Sequence, residues 1–245
     1  MPIPIISIII PHYNHARVLS HALESVMKQK GFFVPPAGGV QNDQMEVIVV
    51  DDGSGEAQKE HLRKEIMPRF PQVKFIFSRH AGASAARNRG FKDSTGEYVI
   101  FWDADIVGQP EMLAQMKKAL DEHPGASFAY SSFKFGWKKF VCGTFDAERL
   151  KQMNYITTTS LIRRAHFSRF DETLKKFQDW DLWLTMLDQG RKGILVPEIL
   201  FRIAPKGTMS QWLPSFMYHF PWLPLPAIKK YFYWKKVVQD KHNIF

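Results

Sequence analysis

Four short, largely apolar runs, each followed by a polar turn and then by residues at helical spacing, most constrain what this chain can fold into. The runs are Ile5–Ile10, Glu46–Val50, Val73–Phe77 and Glu97–Trp102. They are too short for helices, and the first is apolar at almost every position, which is typical of strands buried on both faces. The repeated order of strand, turn and helix predicts an α/β fold with a Rossmann-like, mainly parallel sheet flanked by helices.

Polar and acidic residues follow three of these runs, at the point where each predicted strand ends. They are Pro11–Asn14, Asp51–Asp52 and Asp103–Asp105. The carboxyl ends of parallel strands meet at one edge of the sheet, which is where ligands bind in such folds. A single Asp-x-Asp segment is as well explained by a polar turn or a helix cap. Two acidic segments at the same edge favour a divalent cation shared with substrate phosphates.

Several other site types are disfavoured by what the sequence lacks. No G-x-G-x-x-G follows the first strand and no Walker-type Gly-Lys-Ser/Thr occurs, which disfavours a dinucleotide dehydrogenase and a P-loop NTPase. His12 and His15 lack an identifiable third metal ligand and are interpreted as polar loop residues. Cys142 is the only cysteine, so neither an internal disulfide nor a Cys-rich metal site can form, and we expect a buried apolar role for it.

A further acidic residue is predicted at the start of a helix in the second half of the chain. Trp180, Trp183, Leu184 and Leu187 follow helical spacing, which places Asp179 at the helix N-terminus. An aspartate there is either a capping residue or a general base. The helix N-terminus favours the carboxylate form, so a base at this position is expected to be ionised at neutral pH.

In combination these residues resemble the family 2 inverting glycosyltransferases, whose fold is called GT-A. Six segments carry the resemblance, in the order of the family and over roughly residues 4–203. They are Ser7–Asn14, Val49–Ser54, Gly82–Gly90, Gly96–Asp105, Phe170–Glu172 and Asp179–Leu184. Each segment is only moderately specific, and their order and spacing carry the signal.

The resemblance implies a nucleoside-diphosphate sugar bound at the strand ends as the donor. By similarity, Pro11 and Tyr13 line the nucleoside pocket and Asp52 hydrogen-bonds the base. Arg87 lies near the nucleotide or the diphosphate. Asp103 faces the ribose or the metal shell.

The resemblance also implies the chemistry of transfer. Asp105, together with Asp103, ligates Mn²⁺ or Mg²⁺, and Asp179 is the base that deprotonates an acceptor hydroxyl. Trp180 is either an aromatic wall for the acceptor sugar or a residue of helix packing. The acceptor is a saccharide or a lipid-linked molecule, in the synthesis of a cell-surface polysaccharide or glycolipid.

Two positions depart from the pattern of the family. Gln178 stands where the family often has Glu, which removes a negative charge beside the presumed base and tends to lower its pKa. The family often has a His after the last strand, but residues 201–207 contain none. Lys206 either contributes positive charge to the diphosphate or is a solvated surface lysine. A catalytically silent relative that binds nucleotide sugars is therefore an alternative.

The last 45 residues differ in composition from the rest of the chain. The formal net charge is +9, and residues 201–245 hold seven Lys or Arg residues against one acid, Asp240. We predict a GT-A domain over 1–205, with a nucleotide-sugar half at about 1–108 and an acceptor half at about 109–205. An aromatic and basic helical extension follows over 206–245.

This tail is predicted to lie on a membrane surface rather than to cross it. Prolines interrupt its apolar stretch at 214, 221, 224 and 226, which argues against a spanning helix. Interleaved lysines and aromatic residues suit an anionic headgroup region. The alternatives are packing on the catalytic domain or on a second subunit, so an oligomer is also compatible with the sequence.

The remaining expectations concern compartment and partners. The N-terminus lacks a basic region followed by a long apolar one, so we expect no signal peptide and a cytoplasmic protein, peripheral on the inner face of the plasma membrane if the tail binds there. A nucleic-acid-binding module could use the basic tail. The acidic strand ends would repel phosphates without a cation, so no nucleic-acid partner is expected.

Overall fold

The structure is a computed structural model that describes residues 5–31, 44–204 and 225–244. Most of the loop predicted at 31–44 lies outside the described residues. The same is true of residues 205–224, which include Lys206 and the prolines at 214, 221 and 224. The described residues contain nine strands and seven α-helices in one sheet with flanking helices.

The first half of the chain forms the predicted parallel sheet. Strand β1 pairs in parallel with β2 on one side and with β4 on the other, and β2 pairs in parallel with β3. The elements are β1 (Ile6–His12), α1 (Ala16–Met27), β2 (Met45–Asp52), α2 (Glu56–His61), β3 (Lys74–Ser78), α3 (Ala83–Lys92) and β4 (Tyr98–Phe101). A π-helical turn and a 3₁₀ turn extend α2 to Arg69.

The second half of the chain makes the sheet mixed. Strand β8 is antiparallel to both β4 and β6, while β6 and β9 are parallel, giving the order β3-β2-β1-β4-β8-β6-β9-β5 with β7 paired to β6. The elements are β5 (Ile106–Gly108), α4 (Met112–Glu122), β6 (Ala126–Phe135), β7 (Lys138–Phe140), α5 (Ala147–Gln152), β8 (Leu161–Arg163), α6 (Gln178–Asp188), β9 (Lys192–Ile203) and α7 (Pro226–Lys241).

Strand β1 is buried on both faces, as its composition predicts. Ile8 and Ile10 pack into one hydrophobic cluster with Leu19 of α1, whereas Ile9 belongs to a second cluster on the opposite face of the sheet. Each such side chain contributes about 1.5–3 kcal/mol when it is fully buried. Cys142 is buried in the second cluster, as expected.

Helix α3 lies unusually close to the sheet because of a glycine. A Cβ atom on Gly90 would collide with the Cγ2 atom of Ile9 in β1. Only a residue without a side chain allows this approach. The close packing fixes the helix that carries Arg87 beside the strand ends.

Helix α7 shows that part of the tail packs on the rest of the described chain. Val238 is fully buried and belongs to the same cluster as Trp180 and Trp183 of α6. The helical extension predicted for the C-terminus is therefore present over 226–241. Among the described residues, no helix has both the length and the apolar content that crossing a bilayer requires.

Candidate functional site

A cavity of about 410 Å³ opens at the carboxyl ends of β1, β2 and β4. Six of the residues expected there line it, and they come from three different strand ends and from α3. They are Pro11, Tyr13, Asp52, Arg87, Asp103 and Asp105. The sheet topology thus brings together residues that are up to 94 positions apart in the sequence. Asp179 and Trp180 are not part of its lining.

A buried polar network holds the first two strand ends together. His12 Nδ1 lies 2.9 Å from Asp51 Oδ1, and His12 Nε2 accepts a hydrogen bond from the His15 N–H at 3.2 Å. The Ser54 hydroxyl also donates to Asp51. Burial alone would raise the pKa of Asp51, but the hydrogen bonds from His12 and Ser54 lower it below its ordinary value. Both ring nitrogens of His12 are engaged, but His12 is the last residue of β1 and is buried, so its interpretation as a loop residue is wrong.

Asp52 joins β2 to the turn before α3. Its Oδ1 accepts from the Ala81 N–H at 2.8 Å, and its Oδ2 accepts from the Gly82 N–H at 2.9 Å. Gly82 has a φ of +102°, a conformation that favours glycine. The carboxylate is only 4% exposed but still borders the cavity.

His80 also lines the cavity, next to Tyr13 and Asp52, and was not identified from the sequence. Its Nδ1 lies 2.9 Å from Asp52 Oδ2, and its ring stacks on Tyr13 with the centroids 4.4 Å apart. Tyr13 is 42% exposed and lines the cavity, so part of its ring is open to a ligand. No pattern in the sequence singled out His80, because the stacking depends on how two distant loops meet.

Arg87 is a buried cation that links three parts of the cavity wall. Its Nη2 donates to Asp103 Oδ1 at 2.7 Å and its Nη1 donates to Gln178 Oε1 at 3.2 Å. The guanidinium also lies over the Phe170 ring, 5.2 Å from the centroid. Within the described residues, Arg87 Nε is buried and has no hydrogen-bond partner. The departure at Gln178 therefore leaves an amide that binds Arg87 in place of a second carboxylate.

Asp105 has the electrostatics expected of a cation ligand. Burial, with a smaller effect of the nearby Asp103 charge, raises the pKa of Asp105 to about 6. It forms no ion pair in the part of the chain that the structure describes, whereas Asp103 is paired with Arg87. A carboxylate that is costly to ionise gains most from a bound cation.

The donor set at this edge fits a shared cation better than a dedicated cage. In the described ranges, no three His, Cys, Asp or Glu residues are arranged to hold a metal ion. Asp103 and Asp105 supply hard oxygen ligands of the kind that Mg²⁺ and Mn²⁺ take up with waters and substrate phosphates. The residues present therefore fit a divalent cation whose coordination a ligand completes.

Asp179 is the second residue of α6, as the sequence predicts, but its pKa is shifted in the direction opposite to the one expected at a helix N-terminus. Its Oδ2 accepts from the Asn154 side chain at 2.7 Å, and its Oδ1 accepts from the Trp180 N–H at 2.9 Å. Burial raises the pKa of Asp179 above its ordinary value, and these hydrogen bonds only oppose that shift. The expected effect of the helix N-terminus is thus outweighed by desolvation. Asn154 was not identified from the sequence.

Trp180 does not form a wall for an acceptor, and that prediction is wrong. The side chain is 1% exposed, and its indole Nε1 donates to the Leu150 carbonyl at 2.6 Å. The ring also meets Phe177 edge to face. Helix packing, the other interpretation of this residue, describes what the structure shows.

Ion pairs hold the C-terminal residues Lys241 and His242 against the helix that carries Asp179. Lys241 Nζ lies 2.8 Å from Asp171 Oδ2 and 2.8 Å from Asp181 Oδ1, and His242 Nε2 lies 2.9 Å from Asp181 Oδ1. His242 Nδ1 reaches Asp188 at 2.7 Å. Two of the segments that carry the family resemblance, at 170–172 and 179–184, are therefore held by residues of the C-terminus.

Comparisons with known proteins point to one family. Residues 7–180 match the model of glycosyl transferase family 2. An uncharacterised glycosyltransferase of Nostoc sp. is 35% identical over 111 residues, which are 45% of this chain and 31% of that protein.

Solved structures share the fold at low sequence identity. S. aureus TarS in complex with UDP-GlcNAc has a TM-score of 0.66 at 19% identity, over 90% of this chain and 64% of that one. A mannosyltransferase from Pyrobaculum calidifontis in complex with GDP-Man and Mn²⁺ has a TM-score of 0.59 at 18% identity, over 82% of this chain and 56% of that one.

These likenesses confirm the GT-A type of fold, a mixed, mostly parallel sheet flanked by helices. The chain spans less than two thirds of the length of each of these three proteins. The family match covers residues 7–180, well over half of the sequence. The chain therefore belongs to glycosyl transferase family 2.

Proposed function

We propose that this protein is an inverting glycosyltransferase that moves a sugar from a nucleoside-diphosphate sugar to an acceptor hydroxyl, with Mn²⁺ or Mg²⁺ as cofactor. The observation that carries the proposal is the pair Asp103 and Asp105 in one cavity with Arg87, where the pKa of Asp105 is raised to about 6. Two neighbouring carboxylates of this kind attract a divalent cation. A diphosphate would fill coordination positions of the cation that the protein leaves open.

The nucleoside end of the donor would occupy the rim formed by Pro11, Tyr13 and Asp52. The exposed part of the Tyr13 ring can stack on a base. Asp52 already accepts two backbone N–H groups and His80, which fixes its orientation before a ligand arrives. A carboxylate held in this way can accept a hydrogen bond from a base without losing further side-chain entropy.

The diphosphate would lie between the carboxylate pair and Arg87. Asp103 and Asp105 would hold the cation, which would supply Lewis-acid stabilisation of the charge that develops on the leaving oxygens. Arg87 orients Asp103 through the hydrogen bond of 2.7 Å and adds a buried positive charge on the other side. Its unpartnered Nε is one further donor for a ligand oxygen.

Asp179 would act as the general base for the acceptor. Its carboxylate takes the proton of the acceptor hydroxyl while the acceptor oxygen attacks the anomeric carbon. The bond from that carbon to the diphosphate breaks, and its electron pair leaves with the nucleoside diphosphate. A base pKa that burial has raised is better matched to a hydroxyl proton than an ordinary Asp. Attack opposite the leaving group inverts the anomeric centre without a covalent intermediate.

The acceptor is proposed to be a saccharide or a lipid-linked molecule, in the synthesis of a cell-surface polysaccharide or glycolipid. The family membership and the glycosyltransferase names of the relatives support this class of reaction. With Trp180 in the core, the acceptor pocket requires other residues. Thr158, whose hydroxyl lies 3.4 Å from Asp103 Oδ2, is one polar group at that edge.

A thermal-shift panel tests the proposal. UDP-, GDP- and dTDP-sugars are each added with and without Mn²⁺, and at least one is expected to raise the Tm, more strongly with the cation. Turnover of that donor is expected to stop in EDTA and to return with Mn²⁺. No stabilisation by any nucleotide sugar would contradict the proposed donor. Stabilisation without any turnover would favour the catalytically silent relative.

A further inference from the structure

The outer face of α7 carries a row of lysines around an exposed tyrosine. Lys229, Lys230, Tyr233 and Lys236 are all exposed, and Tyr233 is 63% exposed. Residues 229, 233 and 236 are spaced by four and three positions, so they lie on one face of the helix, with Lys230 beside them. We call Lys229, Lys230, Tyr233 and Lys236 the basic face of α7.

The opposite face fixes the orientation of the helix on the domain. Ile228 and Val238 are fully buried. Lys241 and His242 hold the C-terminal end through Asp181, which is itself 2% exposed. The helix is therefore anchored on one side, and the basic face points away from the protein core.

The lysines of the basic face are uncompensated. None of the three forms an ion pair within the described part of the chain, and no Asp or Glu occurs between Glu198 and Asp240. Several exposed lysines elsewhere in the described chain have an acidic partner. Examples are Lys30–Glu111, Lys64–Glu60, Lys118–Glu122 and Lys151–Glu148. A local charge of this kind is available to an anionic partner.

We propose that the basic face of α7 docks this protein on an anionic membrane surface. Charge complementarity favours anionic lipid headgroups, to which each nearby lysine adds binding energy. An exposed tyrosine among lysines suits the headgroup level, where an aromatic ring can be half-immersed. The sequence that precedes the helix also favours a lipid surface over nucleic acid, because no charged residue occurs between Lys206 and Lys229.

This docking would bring the cavity close to the membrane. Tyr231, on the flank of α7, meets the Phe177 ring edge to face with the centroids 5.0 Å apart. Phe177 precedes Gln178, which lines the cavity. The helix that binds lipid is thus in contact with the segment that borders the candidate site.

Vesicle flotation of the full chain tests the proposal. The probes are phosphatidylcholine vesicles with and without phosphatidylglycerol, and the test variant is K229Q/K230Q/K236Q. The control variant, K30Q/K64Q/K118Q, removes the same number of charges from exposed positions elsewhere. The wild type and the control are expected to float only with anionic vesicles and to be released by salt. The test variant is expected to bind about 100-fold more weakly.

Three outcomes would overturn the proposal. The first is equal loss of flotation in the test and control variants, which would indicate a general effect of net charge. The second is no flotation of the wild type with either vesicle, together with a change of oligomeric state in the test variant, which would assign the face to a second copy. The third is tighter binding of the wild type to a single-stranded oligonucleotide than to anionic vesicles. Since none of these readouts involves a sugar donor, the docking can fail while the proposed activity stands.

Discussion

Asn154 donates its side-chain amide to Oδ2 of Asp179 at 2.7 Å, and so ties the loop after α5 to the first turn of α6. The bond orients a partly buried carboxylate whose pKa is raised by desolvation. Because a hydrogen bond to the charged form favours that form, Asn154 keeps the pKa of Asp179 from rising further.

Replacing Asn154 with Ala is expected to shift the pH dependence of transfer. Without the donor, the pKa of Asp179 rises, so more of the base is protonated at a given pH. The acidic limb of kcat against pH should therefore move to higher pH. Activity that the variant lacks at low pH should return in part as the pH rises and Asp179 becomes ionised. Measurement of kcat over the pH range checks this. An unshifted limb with a uniformly lower kcat would show that Asn154 does not tune the base.

Asp105→Asn is expected to separate stability from ligand binding. An isosteric amide removes a desolvated charge, so the unliganded protein should gain about 1–2 kcal/mol in free energy of unfolding at neutral pH. The gain should vanish at low pH, because the folded-state pKa of about 6 is raised and the wild-type group is already protonated there. Chemical denaturation at neutral and low pH measures this.

The same variant should lose Mn²⁺-dependent binding of nucleotide. In the wild type, cation affinity is expected to rise as the pH increases through about 6, where Asp105 becomes ionised. Calorimetric titration with Mn²⁺ and a nucleoside diphosphate provides the measurement. Retention of cation-dependent binding in the Asn variant would remove Asp105 as a ligand.

His242→Ala is expected to loosen α7 from α6 in a pH-dependent way. Burial by itself would lower the pKa of His242, but hydrogen bonds to Asp181 and Asp188 raise it above its ordinary value. A raised histidine pKa stabilises the fold fully below the unfolded value, and that contribution is lost as pH rises through the folded-state pKa. The variant should thus be most destabilised, by about 1–3 kcal/mol, at mildly acidic pH. His21→Ala, at an exposed position, is the control, and a pH-independent difference would contradict this account.

Trp180→Ala is expected to destabilise the fold by about 3–5 kcal/mol, because it leaves a cavity in the core. Trp137 is 94% exposed, and Trp137→Ala should cost less than about 0.5 kcal/mol. Denaturant unfolding of the two variants compares them directly. The milder Trp180→Phe variant should leave the KM for the acceptor unchanged. A raised KM would indicate that Trp180 contacts the acceptor after all.

The strands of the first half were predictable because the apolar composition of each run indicates that the run is buried. A short run such as Ile5–Ile10 must be buried on both faces, and a central strand of a sheet meets that requirement. Strands β6 to β9 were not anticipated. They are mostly antiparallel or contain serines and lysines, and their pairing depends on contacts between distant segments.

The candidate site was predictable in position but not in detail. Motif order located the residues that line the cavity, because strand ends meet wherever parallel strands pair. Helical spacing around Trp180 predicted an apolar face of the helix. It did not show whether that face packs in the core or borders a ligand site. The ionisation of Asp179 and the roles of His80 and Asn154 arise from burial and from loop contacts, which no local pattern contains.

We propose that Asp179 deprotonates the acceptor that receives a sugar from a nucleoside-diphosphate sugar. The most direct measurement compares wild type and Asp179→Asn, at donor saturation, for release of nucleoside diphosphate from the sugar nucleotide that raises the Tm most. We expect turnover in the variant to fall by about 10²–10⁴-fold, with the Kd for the donor almost unchanged. Turnover at the wild-type rate in Asp179→Asn, with normal donor binding, would contradict the account.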